Sequence, residues 1–222
     1  MNTLHTDLSA YYTSRAAIAD RVYAQQDRQD QLAMLRERVA ALVQGHKVLE
    51  LACGSGYWTA AMADSADFVL ATDNNPLMLK AAQARNLPPQ KVKIAQVDAF
   101  EPDLAGGDLA SGYSACFAGF FWAHVKREQQ AGLLARIRGI IGKDGLLVLI
   151  DDNYLEEDTA PVARTDAEGN TYQIETLADG ERYEYVKNFP TDSALRKKFA
   201  GVAKDIRILR LQHCWLLSCR LK

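Results

Sequence analysis

Long apolar runs are absent from this chain. No stretch approaches the ~20 residues that cross a bilayer. The opening residues, Met1-Asn-Thr-Leu-His-Thr-Asp7, lack the basic and apolar parts of a secretory leader. An excess of one charge is lacking too: 26 Lys and Arg against 28 Asp and Glu leave a formal net charge of −2, which gives no footprint for nucleic acid or an anionic membrane surface. Cysteine is scarce and scattered. Cys53, Cys116, Cys214 and Cys219 form no Cys-x-x-Cys pair, so a disulfide scaffold and a zinc site are both poor readings. Cys53 and Cys116 fall where buried strand ends are expected and read as small apolar fillers. What remains is a cytoplasmic chain of 222 residues, most simply one domain, long enough to bury a real core. Its expected partner is a small molecule rather than nucleic acid or membrane, and its expected assembly is a monomer or homodimer.

The chain is organised around Val48-Leu-Glu-Leu-Ala-Cys-Gly-Ser-Gly-Tyr-Trp-Thr59. Val48 to Ala52 reads as a buried parallel strand, Gly54-Ser55-Gly56 as a tight turn, and Trp58 onward as a helix. A strand running through a glycine turn into a helix gathers backbone N–H groups at a helix N-terminus, and glycine lets a ligand approach where a Cβ would block it. A dinucleotide loop would need a small residue where Thr59 stands. Two further acids follow at strand ends. Phe68 to Thr72 runs into Asp73-Asn74, and Val92 to Val97 runs into Asp98-Ala99-Phe100. A carboxylate after a second parallel strand can accept from two ribose hydroxyls, and one after a third strand can accept from an adenine amino group beside an apolar neighbour.

The other elements complete an alternating pattern. Asp7 to Tyr23 reads as a helix capped by Thr6 or Asp7, with Leu8, Tyr11, Tyr12, Ile18 and Val22 near one face. Asp30 to Val43 is a second helix with Leu32, Leu35, Val39 and Leu42 as its stripe, ended by Gly45. Asn75-Pro76 opens another helix as cap and first helical residue. Residues 102–112 read as a turn-rich loop, and Tyr113 to Ala118 as the fourth strand. Arg127 to Ile141 is a helix with Leu133, Leu134, Ile137 and Ile141 inward, and Leu146 to Ile150 is the fifth strand. Asp151 and Asp152 read as solvated loop acids, since no His joins them at ligand spacing. Thr171–Leu177 and Glu181–Asn188 flank Ala178-Asp179-Gly180, a hairpin signal, inside a stretch too long for a simple strand-to-helix connection. Arg164, Arg182 and Lys187 there are either solvated hairpin charges or contacts for an anionic substrate. A helix follows Thr191, and Ile206–Leu211 and Cys214–Leu221 read as two last strands, with His213-Cys214 a strand pair rather than a metal site.

Glu50 to Gly56, with Asp73 and Asp98 at the next two strand ends, resembles the motif series of the class I S-adenosylmethionine-dependent methyltransferases. The resemblance implies an α/β, three-layer Rossmann-like fold: a seven-stranded, mostly parallel sheet whose last strand is antiparallel. It divides the chain (1–222) into an N-terminal helical cover (1–45) and a methyltransferase core carrying a hairpin insert (154–188). It implies S-adenosylmethionine as cofactor, touched by Glu50, Ala52, Gly54, Gly56, Trp58, Asp73, Asn74, Met78, Asp98, Ala99, Phe100, Phe117, Ala118 and Gly119, with no metal. The N-terminal Tyr11-Tyr12-x-x-Arg15-Ala16 pattern resembles an active-site cover, and Gly119-Phe-Phe-Trp-Ala-His-Val125 an aromatic-rich loop beside the reacting methyl group. His124, Tyr12 and Arg15 are the catalytic candidates: His124 is either a general base near its unperturbed pKa of ~6.5 or a residue that bonds a neighbouring carbonyl. The expected reaction is in-line methyl transfer to a small acceptor, preferably at oxygen; an acceptor already anionic, such as a carboxylate, phosphonate or phenolate, needs no base. A nicotinamide-dependent oxidoreductase and a non-catalytic S-adenosylmethionine-binding protein are the alternatives.

Overall fold

The computed structural model describes residues 4–100, 112–177 and 180–222. Chain order gives β1 (Leu4–His5), α1 (Leu8–Arg15), a 3-10 segment (Ala16–Ala24), a 3-10 turn (Gln26–Arg28), α2 (Gln29–Val43), β2 (Lys47–Leu51), α3 (Tyr57–Met62), β3 (Phe68–Asp73), α4 (Pro76–Gln83) and β4 (Val92–Gln96). Then come β5 (Ala115–Gly119), a 3-10 turn (Trp122–His124), α5 (Gln130–Ile141), β6 (Leu146–Asp152), β7 (Arg164–Thr165), β8 (Thr171–Thr176), β9 (Arg182–Val186), α6 (Asp192–Phe199), β10 (Ala203–Arg210) and β11 (Cys214–Leu221). The large sheet has the order β10-β11-β6-β5-β2-β3-β4. Strands β4, β3, β2, β5 and β6 are mutually parallel, β11 runs antiparallel to β6, and β10 antiparallel to β11. This is the expected mostly parallel seven-stranded sheet with an antiparallel end.

The central strands are buried on both faces, which is why they read as unbroken apolar runs. Side chains alternate between two cores with period two. Val48, Phe117, Val148 and Ile150 meet Leu35, Val39, Val43 and Met62 of α2 and α3 on one face. Leu49, Leu51, Cys116, Leu147 and Leu149 meet Leu133, Ile137 and Phe199 of α5 and α6 on the other. The buried stripe of α2 ends in Val43 rather than the expected Leu42, which is only half-buried. Asn75 caps α4 by accepting from the Leu77 and Met78 N–H groups, with Pro76 in the first turn, as the sequence predicts.

Two departures from the sequence reading concern the cavity. The expected single N-terminal helix is α1, capped by Asp7, followed by nine residues of 3-10 helix. A 3-10 run of that length is uncommon. Here it is held by side chains outside the helix: Asp20 accepts from Ser55 and Arg85, and Tyr23 stacks on Tyr57 with ring centroids 3.7 Å apart. The insert forms a small second sheet, β1-β9-β8-β7, in which the expected hairpin pairs Tyr172 with Val186 and Thr176 with Arg182. The hairpin tip, 178–179, and positions 102–111 of the expected loop lie outside the described residues. Strand β1 pairs with β9, so the start of the chain is woven into the insert.

Asp151 and Asp152 are not the solvated loop acids expected. Asp151 is fully buried; its Oδ2 accepts from the Ala123 N–H at 2.7 Å, and its Oδ1 lies 3.3 Å from Lys187 Nζ. Lys187 also donates to Asp152 at 2.9 Å, and Arg28 donates to Asp152 at 3.2 Å. Burial works against the Lys187 ammonium, but the two carboxylates outweigh it and hold its pKa above the ordinary lysine value. Lys187 is thus a buried strut between the insert and the sheet, while Arg164 is an exposed partner of Glu184. We expect Lys187→Met to leave a buried carboxylate unpaired and to destabilise the fold by about 3–5 kcal/mol. Thermal unfolding should show a Tm lower by roughly 6–20 °C, whereas Arg164→Met should leave Tm essentially unchanged. Equal Tm values for the two variants would show that Lys187 is no strut.

Candidate active site

A cavity of about 450 Å³ opens at the carboxyl ends of the parallel strands, where an open α/β sheet places its ligand. Its floor is the turn after β2. Ala52 and Gly54 have φ of +51° and +55°, and a Cβ added to Gly54 would meet no atom of the described residues within 4 Å. That open space is the cradle a side chain would fill. The Asp73 carboxylate ties this turn to β3, accepting from Gly54 N–H on one oxygen and from Asn75 N–H on the other, both at 2.9 Å. A carboxylate oxygen has lone-pair capacity for more than one donor, so Asp73, at 8 % exposure, still has acceptor capacity toward the cavity. Asp98 accepts from Phe100 N–H at 2.8 Å, and both line the same wall with Ala99. Trp58, packed on Phe117, also faces the cavity, and its indole N–H is buried with no hydrogen-bond partner among the described residues.

The opposite end is built by the loop after β5, the insert and the N-terminal cover. Tyr12 Oη lies 2.8 Å from His124 Nε2, and His124 Nδ1 lies 2.7 Å from the Val186 carbonyl oxygen. A carbonyl only accepts, so Nδ1 carries the proton and Nε2 accepts from the Tyr12 hydroxyl. Burial, then the nearby Lys187 ammonium, push the His124 pKa down to about 3. Arg15 and the Tyr11 hydroxyl both donate to Glu175, at 2.7 and 2.6 Å, and the Tyr11 ring stacks on Tyr185 at 4.3 Å. Gln173 also lines the cavity here. Thr13 accepts from Asn75 Nδ2 at 2.9 Å, so α1 reaches the cofactor-type wall as well.

Most of the residues singled out from sequence converge on this cavity: Tyr12, Arg15, Ala52, Gly54, Trp58, Asp73, Asn74, Met78, Asp98, Ala99, Phe100, Gly119 and His124 all line it. Four do not line it. Glu50 is sealed beneath the turn, accepting from Thr59 Oγ1 at 2.6 Å. Gly56, at φ +80°, caps α3 and packs closely on Ala82. Phe117 and Ala118 are core residues of β5. Tyr23, Gln173, Glu175 and Tyr185, which also line the cavity, were missed. The alternation Gln173, Glu175 on β8 and Tyr183, Tyr185 on β9, with Lys187 just beyond it, is the signal that puts several of these on one face.

Residues 48–145 match the family model of a methyltransferase domain. The complex of DhpI with SAH shares 25% identity and a TM-score of 0.74, covering 96% of this chain and 94% of that one. The DhpI–SAM–HEP complex gives 25% identity and 0.76, covering 95% and 94%. The glycopeptide N-methyltransferase MtfA complexed with S-adenosyl-L-homocysteine shares the fold, at 16% identity and 0.62, covering 84% and 88%. No curated protein matches the sequence. Residues 48–145 thus carry a methyltransferase domain, and the seven-stranded sheet is that of the class I methyltransferase fold. No helix among the described residues is long and apolar enough to cross a membrane.

Glu50 gives this floor a pH signature. Burial raises its pKa to about 8, against a smaller downward pull from the Thr59 hydroxyl. The folded state therefore holds a proton that the unfolded chain releases near the ordinary carboxylate pKa. The associated stability is fully present below that pKa and is lost as pH rises through about 8. Glu50→Gln does not titrate, so its Tm relative to wild type should climb by at least about 3 °C between pH 5 and pH 9. A difference that stays constant with pH would sink this account of Glu50.

Proposed function

We propose that the protein transfers the methyl group of S-adenosylmethionine to an oxygen of a small acceptor that arrives as an oxyanion. When bound, the cofactor supplies an electrophilic methyl on a sulfonium. The residues present suit its seat: the Gly54 cradle for the methionine end, Asp73 for the ribose hydroxyls, and Asp98 with Ala99 and Phe100 for the adenine. Gly119, the Trp58 indole and the Phe120–Phe121 loop lie between the two ends of the cavity.

The observation that carries the acceptor class is the state of His124. With Nδ1 committed to Val186 and a pKa near 3, its imidazole is a weak base far from the operating pH. It orients the Tyr12 hydroxyl instead of collecting a proton. An acceptor that must lose a proton during the reaction finds poor help here; an oxyanion needs none. Arg15, Arg28 and Lys187 are cationic side chains that line the cavity, while the one Tyr12 hydroxyl proton is engaged by His124. The cations are balanced by Glu175, Asp151 and Asp152, so the sulfonium itself supplies the countercharge. Positioning the oxyanion on the methyl carbon and excluding water are then the protein's work. The DhpI complex with SAM and HEP supports this reading, since a relative alike over nearly its whole length is found with SAM and a second molecule together.

Two measurements test the two ends separately. Asp73→Ala removes the ribose partner, and calorimetry should show S-adenosylhomocysteine binding weakened about 10- to 100-fold in a folded variant; unchanged affinity would remove Asp73 from the seat. At the other end, we expect carboxylate, phosphonate or phenolate acceptors to be methylated with a kcat/KM that stays flat above the acceptor's own pKa. Tyr12→Phe should lower that kcat/KM about tenfold while leaving the S-adenosylhomocysteine Kd alone. Neutral amines or alcohols turned over faster than every acid tested would overturn the oxyanion reading.

A further inference from the structure

His213 is a buried polar group that the cavity chemistry leaves unused. It lies in the turn between β10 and β11, not in the strand expected from sequence. Its ring is 2 % exposed, and neither ring nitrogen has a hydrogen-bond partner among the described residues. The backbone around it is pinned: its N–H donates to Gln31 Oε1 at 3.0 Å, and its carbonyl accepts from the Asn153 N–H at 2.8 Å. The ring is thus held in place with two unsatisfied nitrogens, a costly arrangement unless something outside the protein bonds one of them.

Two carboxylates face it. Asp27 Oδ2 is 3.7 Å from His213 Nε2. One ligand atom each from Asp27, Asp158 and His213 lie within 4.8 Å of one another. Ligands bound at the usual 2.0–2.2 Å of a zinc-type ion sit about 3–4 Å apart. Both acids are exposed side chains, free to close the remaining distance by rotation. The acids are also not engaged like their neighbours. Arg28, next to Asp27, is turned to Asp152, and Asp158 sits in a turn fixed by its backbone N–H to the Leu155 carbonyl.

The geometry points to a binding site for one divalent metal ion of borderline hardness, zinc being the type, held by Asp27, Asp158 and His213. One imidazole and two carboxylates suit such an ion in donor type, and the two acids neutralise its charge. The three ligands come from three separate parts of the molecule. Asp27 belongs to the N-terminal cover, Asp158 to the insert and lines the cavity, and His213 to the sheet. The ion is therefore a clip that fastens cover and insert to the sheet at the cavity rim, and binding it stabilises the closed form by mass action. The site is separate from the proposed methyl-transfer chemistry and stands or falls apart from it.

The test is titration of the full chain, stripped with EDTA and dialysed, with zinc ion in a non-chelating buffer, read by calorimetry and by thermal unfolding. Cobalt ion in place of zinc gives the visible absorption of a nitrogen- and oxygen-ligated centre. We expect one equivalent bound, a rise in Tm on addition, and slower proteolytic cleavage of the first 30 or so residues, a span set by where Asp27 lies. The Asp27→Asn, Asp158→Asn double variant changes only exposed groups and should fold; it should bind at least about 30-fold more weakly. His213→Gln, if folded, should lose the cobalt spectrum. S-adenosylhomocysteine binding, measured on the same samples, reports the cofactor seat independently. No saturable binding by the wild type, or equal affinity in the double variant, overturns the site.

Discussion

The buried contact of Lys187 with Asp151 and Asp152 is the joint on which the cavity depends. Taking three charges out of water is expensive, and their attraction offsets that cost only if every remaining lone pair and proton is also engaged. Here they are. Asp151 takes the Ala123 and Asp152 N–H groups as well as the ammonium, and Asp152 takes Arg28. Each of these bonds fixes a different wall. The Ala123 bond sets the Phe120–His124 loop, the Lys187 bond sets the end of β9, and the Arg28 bond draws in the junction between the N-terminal cover and α2. Apolar residues of the same volume would fill the space but would not dictate these directions.

The same cluster sets the electrostatics of the acceptor end. Burial keeps His124 neutral, and the nearby Lys187 ammonium acts in the same sense. Neutrality then fixes the tautomer through the Val186 carbonyl, and the tautomer fixes the direction of the Tyr12 hydroxyl. A histidine that the sequence offers as a base thus becomes a hydrogen-bond acceptor that aims a tyrosine. On the proposed reading, the catalytic burden moves from proton transfer to placement, which suits a sulfonium that needs no activation. The class I fold does not decide this by itself, since MtfA carries the same fold and is an N-methyltransferase.

What was legible in the sequence is what local patterning determines. The turn at Gly54, the capped start at Asn75-Pro76 and the unbroken run of Leu146–Ile150 each combine a composition signal with a single geometric solution. The acids at strand ends were legible for the same reason: Asp73 and Asp98 stand one residue beyond runs that can only be parallel strands. The environment of an acid was not. Asp151, Asp152 and Asp73 are all polar residues after apolar strands, yet Asp151 is buried under a lysine 36 residues later in the chain. Glu50 was read as a cofactor contact, but its strand position points it into the layer beneath the turn. The pairing of β1 with β9 and the clasp of Tyr11 and Arg15 on Glu175 join residues more than 150 positions apart, and nothing periodic in either segment announces the other.

Among its described side chains, α1 with its 3-10 extension places only Tyr11 in a buried cluster and is held largely by side-chain hydrogen bonds. Such segments open at low free-energy cost, and a cofactor reaching the Gly54 turn must pass one. The contacts of the cover fall into two groups. Thr13 with Asn75, and Asp20 with Ser55 and Arg85, lie at the cofactor end; Tyr12 with His124, and Tyr11 and Arg15 with Glu175, lie at the acceptor end. One continuous stretch, α1 and its 3-10 extension, carries both groups, so on the proposed reading closing over one ligand would order the contacts that receive the other. Coupling of this kind is reciprocal: whichever ligand binds first bears the ordering cost, and the second binds more tightly by the same factor. A short helix continued as 3-10 turns is well suited to that task. Its own hydrogen bonds are too weak to hold it shut, and its closure is set by what the side chains find beneath them.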